Sequence, residues 1–148
     1  MRDDAVHSSD FERNKLIIRL DITVSADINS ISAIVEGILA ITSEMKCAAG
    51  KEFEIETAIR EALANAILHG CHNDPAKQVQ CCVACDKDRG MIIVVRDPGQ
   101  GFDPSSIPSP VMGENVYSEH GRGIYLINQL MDSAWYEHGG TELHMLKN

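Results

Sequence analysis

Aromatic residues are scarce in this chain, with one tryptophan, three tyrosines and three phenylalanines among 148 residues. Positive charge is also in short supply: 13 Lys and Arg face 22 Asp and Glu, for a formal net charge of -9. An acidic chain repels phosphate backbones, and few rings are available to stack on bases, so nucleic acid is not expected as a partner. No apolar run approaches the roughly 20 residues of a membrane helix, and no membrane association is expected. Residues Met1 to Asp10 contain no apolar h-region, so no secretory leader is expected there. Neither G-x-x-x-x-G-K-[ST] nor G-x-G-x-x-G occurs, which removes the P-loop and the dinucleotide fingerprint.

The five cysteines, at 47, 71, 81, 82 and 85, are odd in number and do not make the even framework of a small secreted domain. Cys82 and Cys85 have C-x-x-C spacing, with Cys71 and His72 as conceivable further ligands, but no second C-x-x-C follows. Strand-like alternation from Gln78 to Asp86 turns Cys82 and Cys85 to opposite faces. The cysteines therefore read as small core residues in a reducing, cytoplasmic compartment.

Hydrophobic residues make up 44% of the chain and charged residues 24%, the mix of one soluble domain. Residues 1–13 are polar and read as a flexible tail, leaving 14–148 as a single domain. Lys15 to Val24 is rich in β-branched residues and predicts a strand. Ser25 or Asp27 is positioned to cap a helix carrying Ile28, Ile31, Val35, Ile38 and Met45 on one face, to about Cys47. A second helix is expected over Lys51 to His69, with Ile55, Ile59, Leu63, Ala66 and Ile67 as its buried stripe and Gly70 as its C-terminal stop. Gln78 to Asp86 and Met91 to Arg96 predict an antiparallel hairpin. Four of the five prolines and five of the eleven glycines fall between Asp97 and Gly123, a long loop of the kind that is usually functional. A short helix over Ile124 to Met131 and a closing hairpin, Ser133 to His138 with Thr141 to Leu146, complete an α+β layout.

Three segments carry polar chemistry. Glu61, Asn65 and His69 are spaced by four along the second helix, on a face other than the Ile59, Leu63 and Ile67 stripe. Such a row also suits a merely solvated helix face. Asp97-Pro-Gly99-Gln-Gly101 follows a strand directly, so a carboxylate stands where glycines let the backbone approach a ligand closely. Gly121-Arg122-Gly123 opens the last helix, where unpaired N–H groups and the Arg122 charge suit an anion.

In this order and separation, E-x-x-x-N-A-x-x-H-G, D-x-G-x-G and G-x-G resemble the ATP-binding fold of the GHKL superfamily. Within it the chain is similar, from Leu16 to Leu146, to the anti-sigma-factor serine kinases of the RsbW and SpoIIAB type. The resemblance implies a two-layer α/β sandwich with a mixed, mostly antiparallel sheet of the Bergerat type. It implies that Asn65 helps hold Mg²⁺ against ATP phosphates, and that Asp97 reads the adenine amino group with Thr141 in support. It also implies Gly99 and Gly101 beside the adenine, Gly121, Arg122 and Gly123 at the phosphates, residues 104–120 as a lid, and Glu61 as general base. The implied function is ATP-dependent phosphorylation of a serine on a STAS-type antagonist by a homodimeric anti-sigma factor that also binds a sigma factor. The alternative is a nucleotide-gated protein that sequesters a regulator without efficient transfer. The lid arginine that some relatives carry two residues before the first glycine of the G-x-G is Glu119 here, a departure that bears on turnover more than on binding. Neither His69 nor His120 is assigned a chemical role.

Overall fold

The computed structural model describes residues 16–86, 88–101 and 119–148; for Leu16, Glu119, His120 and Gly121 only the backbone is described. The expected tail, 1–13, and the lid up to 118 lie outside the described residues. Strand β1, Leu16–Ser25, alternates as its sequence requires: Ile18, Leu20, Ile22 and Val24 pack into the core, and Arg19 and Asp21 alternate with them. Asp27 caps the following turn, its Oδ1 accepting from the Asn29 N–H at 3.0 Å. A 3₁₀ turn, Ile28–Ser30, then leads into helix α1, Ile31–Glu44.

The buried stripe of α1 is Ile31, Val35, Ile38 and Thr42, so the expected face from Ile28 to Met45 is corrected at both ends. Ile28 lies in the tighter 3₁₀ turn and Met45 lies past the helix, and both are exposed. Thr42 tolerates burial because its hydroxyl donates to the Ile38 carbonyl at 2.9 Å. Helix α2, Glu52–Asn65, begins with the acids Glu52 and Glu54 in its first turn, which favours the positive helix end. Its buried residues Ile55, Ile59 and Leu63 continue into Ala66 and Ile67, matching the expected stripe. The final turn, Ala66–Gly70, widens into a π-helical turn, with the Cys71 N–H donating to the Ala66 carbonyl at 2.9 Å.

Strands β2, Gln78–Asp86, and β3, Gly90–Arg96, form the expected hairpin. Helix α3, Glu119–Leu130, starts earlier than Ile124, and β4, Ser133–Glu137, with β5, Glu142–Lys147, makes the second hairpin. The sheet order is β1-β2-β3-β5-β4, and every described pair is antiparallel, in keeping with the mostly antiparallel sheet expected.

The helices cover one sheet face, where Val83, Ile93, Val95 and Met145 join the helix stripes in the main core. Cys82, Ala84, Ile92 and Val94 form a second apolar cluster on the other face. Cys82 and Cys85 do point to opposite faces, as alternation requires. Cys47 and Cys85, however, are joined by a disulfide with Cα atoms 5.9 Å apart, which corrects the reading of both as free core thiols. Among the described residues no helix is long and apolar enough to cross a membrane.

Candidate nucleotide-binding site

A cavity of about 210 Å³ opens where α2 passes over the ends of β3 and β5. Ala62, Val95, Tyr136 and Leu143 supply its apolar walls, and Asn65, Asp97 and Thr141 its polar positions.

Asp97 is the first residue after β3, and its backbone N–H donates to the Thr141 carbonyl at 3.0 Å. Two of the residues implied at the adenine are therefore held side by side by a backbone bond. The Asp97 side chain folds over its own turn, Oδ1 accepting from the Gly99 N–H at 2.8 Å. Burial pushes the carboxyl above its ordinary value of 3.8, with the Gly99 N–H acting the other way. The second carboxylate oxygen has no such intrachain bond among those described and is available to a ligand donor.

Gly70 makes the space for this carboxylate: a Cβ on it would lie 2.5 Å from each Asp97 oxygen. A Cβ on Gly99 would run into the Gly70 carbonyl and stand 2.8 Å from Asp97 Oδ1. Gly101 adopts a φ of +78° and its Cα faces the Gly139 carbonyl and the Thr141 methyl group. The Thr141 hydroxyl donates to the His138 carbonyl at 2.8 Å, leaving its lone pairs available as acceptors.

At the other end of the site, α3 packs against the polar row of α2. A Cβ on Gly123 would lie 2.9 Å from Glu61 Oε1 and 3.0 Å from Asn65 Nδ2, so only glycine lets the helix backbone come this close. Glu61, Asn65 and Gly123 are thus brought together. Asn65 Nδ2 is buried with no hydrogen-bond partner among the described residues. An unsatisfied buried amide is costly, and its N and O ends are interchangeable by rotation, so Asn65 is poised for an external partner. Because α3 begins at Glu119, Gly121 and Gly123 lie inside its first turns rather than ahead of it. Arg122 is exposed on the same helix. His69 lines the cavity, and the side chain of His120 lies outside the description.

Sequence reading alone missed Gly70 as the notch for Asp97 and Tyr136 as a cavity wall. Gly70 resembled an ordinary helix stop, and Tyr136 resembled any strand aromatic. Burial, followed by the charge of Asp97, raises the Tyr136 phenol above its ordinary value of 10.0, which keeps it neutral.

A profile described as the histidine kinase-like ATPase domain matches residues 24–147. The anti-sigma F factor of Oceanobacillus iheyensis is 34% identical over 100 residues, covering 64% of this chain and 67% of the relative. That of Geobacillus kaustophilus is 32% identical over 100 residues, covering 64% and 68%. That of Shouchella clausii is 46% identical over a shorter stretch of 49 residues, 33% of each chain. With a matching profile over most of its length, the chain belongs to the histidine kinase-like ATPase family, among the anti-sigma factors of the RsbW and SpoIIAB type.

Proposed function

We propose that the protein is an ATP-dependent protein-serine kinase that acts as an anti-sigma factor and phosphorylates a STAS-type antagonist of itself. The observation that carries this is the two-ended site: Asp97 bonded to Thr141 at one end, and Glu61, Asn65 and Gly123 in contact at the other. A cavity of about 210 Å³ is below the ~300–1,000 Å³ that encloses a drug-sized ligand, so it suits a purine base, with sugar and phosphates outside.

Asp97 accepts the adenine amino group, and Tyr136, Val95 and Leu143 bury the ring faces. Thr141 orients a water or ring nitrogen beside it. Asn65, whose buried amide nitrogen has no partner among the described residues, fits a Mg²⁺ ligand when its oxygen is turned outward; an oxygen donor from one residue suits an ion that keeps several waters. When bound, Mg²⁺ neutralises phosphate charge. Arg122 and the first turns of α3, with Gly121 and Gly123, would meet the phosphates, since a helix N-terminus with an added positive charge suits an anion. Glu61 takes the proton from the incoming serine hydroxyl as its oxygen attacks the γ-phosphorus; the P–O bond to ADP breaks and phosphoserine forms.

A sigma factor as the sequestered partner follows the printed names of the relatives, and homodimerisation follows the family resemblance. Purified protein mixed with γ-labelled ATP and a STAS antagonist tests the reading: label on an antagonist serine supports it, and bound nucleotide without transfer rejects it. That second outcome would favour the nucleotide-gated sequestering protein, a reading supported by Glu119 standing at the lid-arginine position.

A further inference from the structure

A second group of chemistry-bearing side chains lies outside the cavity, on the β4–β5 hairpin. Within β5, Leu143 and Met145 enter the main core, so Glu142 and His144 project from the opposite face of the sheet. The register places Glu137 opposite Glu142 and Trp135 opposite His144. His144 Nε2 stands 2.7 Å from Glu142 Oε1 and 3.4 Å from Glu137 Oε2. One ligand atom from each of Glu137, Glu142 and His144 lies within 4.8 Å of the other two.

The surroundings hold these groups rigidly. The Trp135 ring stacks on His144 with centroids 5.2 Å apart, and its Nε1–H donates to Glu137 Oε2 at 2.8 Å. Glu142 and His144 are each 1% exposed. Among the described residues Glu142 Oε2 has no hydrogen-bond partner, and the Arg96 guanidinium stands at 3.8 Å, beyond hydrogen-bond range. Two carboxylates converge on one imidazole nitrogen, which has at most one proton to donate. A buried carboxylate left short of donors is expensive, and a cation among the three groups would relieve it.

We propose that Glu137, Glu142 and His144 form a binding site for a divalent first-row transition ion of the zinc type. Imidazole with carboxylate oxygens is a donor set such ions accept, whereas Mg²⁺ favours oxygen alone. Bonds of about 2.0–2.2 Å put tetrahedral ligands about 3.3–3.6 Å apart, which the 3.4 Å separation meets. The 2.7 Å hydrogen bond between His144 and Glu142 opens by less than ~1 Å on loading. His138, with Nε2 3.7 Å from Glu142 Oε1, is within reach as a fourth ligand, and water is the other choice. The proposal does not depend on the kinase reading, since none of the three ligands lines the nucleotide cavity.

The test is equilibrium dialysis of chelator-stripped protein against zinc, with zinc-edge X-ray absorption on the loaded form. The expected result is one ion per chain at micromolar free zinc with nitrogen and oxygen neighbours only. Both His144→Ala and Glu137→Gln should weaken binding at least tenfold. Because His144 is buried, the half-buried Glu137 provides the variant that spares the fold, and far-UV circular dichroism checks both. No uptake at micromolar zinc, sulfur neighbours from the cysteines, or full binding by folded Glu137→Gln would overturn the proposal.

Discussion

Gly70, the last residue of the π-helical turn, has no side chain where the Asp97 carboxylate lies: a Cβ there would be 2.5 Å from both oxygens. The end of a helix and the end of a strand are fitted to each other at the point where a base would be read. Gly70→Ala should displace the carboxylate without unfolding the chain, because its neighbours in the main core are untouched. Losing a hydrogen bond to a charged group costs about 1.5–3 kcal/mol, so ATP affinity measured by calorimetry should fall about 10- to 100-fold.

The protonation of Asp97 gives two slopes of opposite sign. Burial raises its pKa, so the folded chain holds this proton more tightly than the unfolded chain in a window opening above 3.8. Stability contributed by this group therefore falls as pH rises through the window. Nucleotide binding needs the carboxylate and should strengthen over the same range. Asp97→Asn should flatten both slopes, read from urea midpoints and calorimetry at pH steps upward from 3.8.

Glu61 separates binding from transfer. Its Oε1 would lie 2.9 Å from a Cβ on Gly123, at the site's open end and away from Asp97. Glu61→Gln should bind MgATP as the parent does and lower phosphoryl transfer about 10²- to 10⁴-fold, the usual worth of a general base. Unchanged transfer in single-turnover assays would remove Glu61 from the mechanism.

Leu63 is fully buried on the α2 stripe, two positions from both Glu61 and Asn65 of the polar row. Leu63→Ala should cost about 2–5 kcal/mol in chemical denaturation, through lost transfer energy and the cavity left behind. Nucleotide affinity per folded molecule should change little.

Thiol chemistry offers an independent check on the fold. The Cys47–Cys85 link spans 38 positions of sequence, leaving Cys71, Cys81 and Cys82 free. Burial raises Cys81, with the Asp21 charge adding to it, to about 12, so this thiol should react slowly in the folded state. Oxidised, denatured protein should titrate three thiols, and reduced protein five. Closing a loop of that length is worth up to about 4 kcal/mol in the chain-entropy picture, so reduction should lower the denaturation midpoint.

Much of this was legible in sequence because the periodicities are strong. The α2 stripe of Ile55, Ile59 and Leu63 and the β2–β3 hairpin lie where alternation and helical spacing put them. The ends of α1 were not legible, since a 3₁₀ turn breaks the helical phase at Ile28 and a hydroxyl bonded to its own helix lets Thr42 take a buried place. The start of α3 was misplaced because glycines at 121 and 123 weaken helix propensity, while packing against Glu61 and Asn65 restores the helix. The Cys47–Cys85 link was out of reach: it joins a loop to a strand 38 positions later, and spacing alone contains no sign of it. Gly70 shows the same limit, as nothing local distinguishes a helix stop from a socket for a distant carboxylate.

Strand β5 follows β4 in sequence and is the last of the described strands, yet it lies between β3 and β4 in the sheet, and Thr141 beside it bonds to Asp97. During synthesis the gap next to β3 stays open until residue 147 has emerged from the ribosome. A nascent chain halted before that point would present a row of unmet amides and carbonyls and only half of a pocket. The nucleotide pocket is therefore complete only once β5 is in place, and premature stops within β5 should yield aggregates rather than weakened forms.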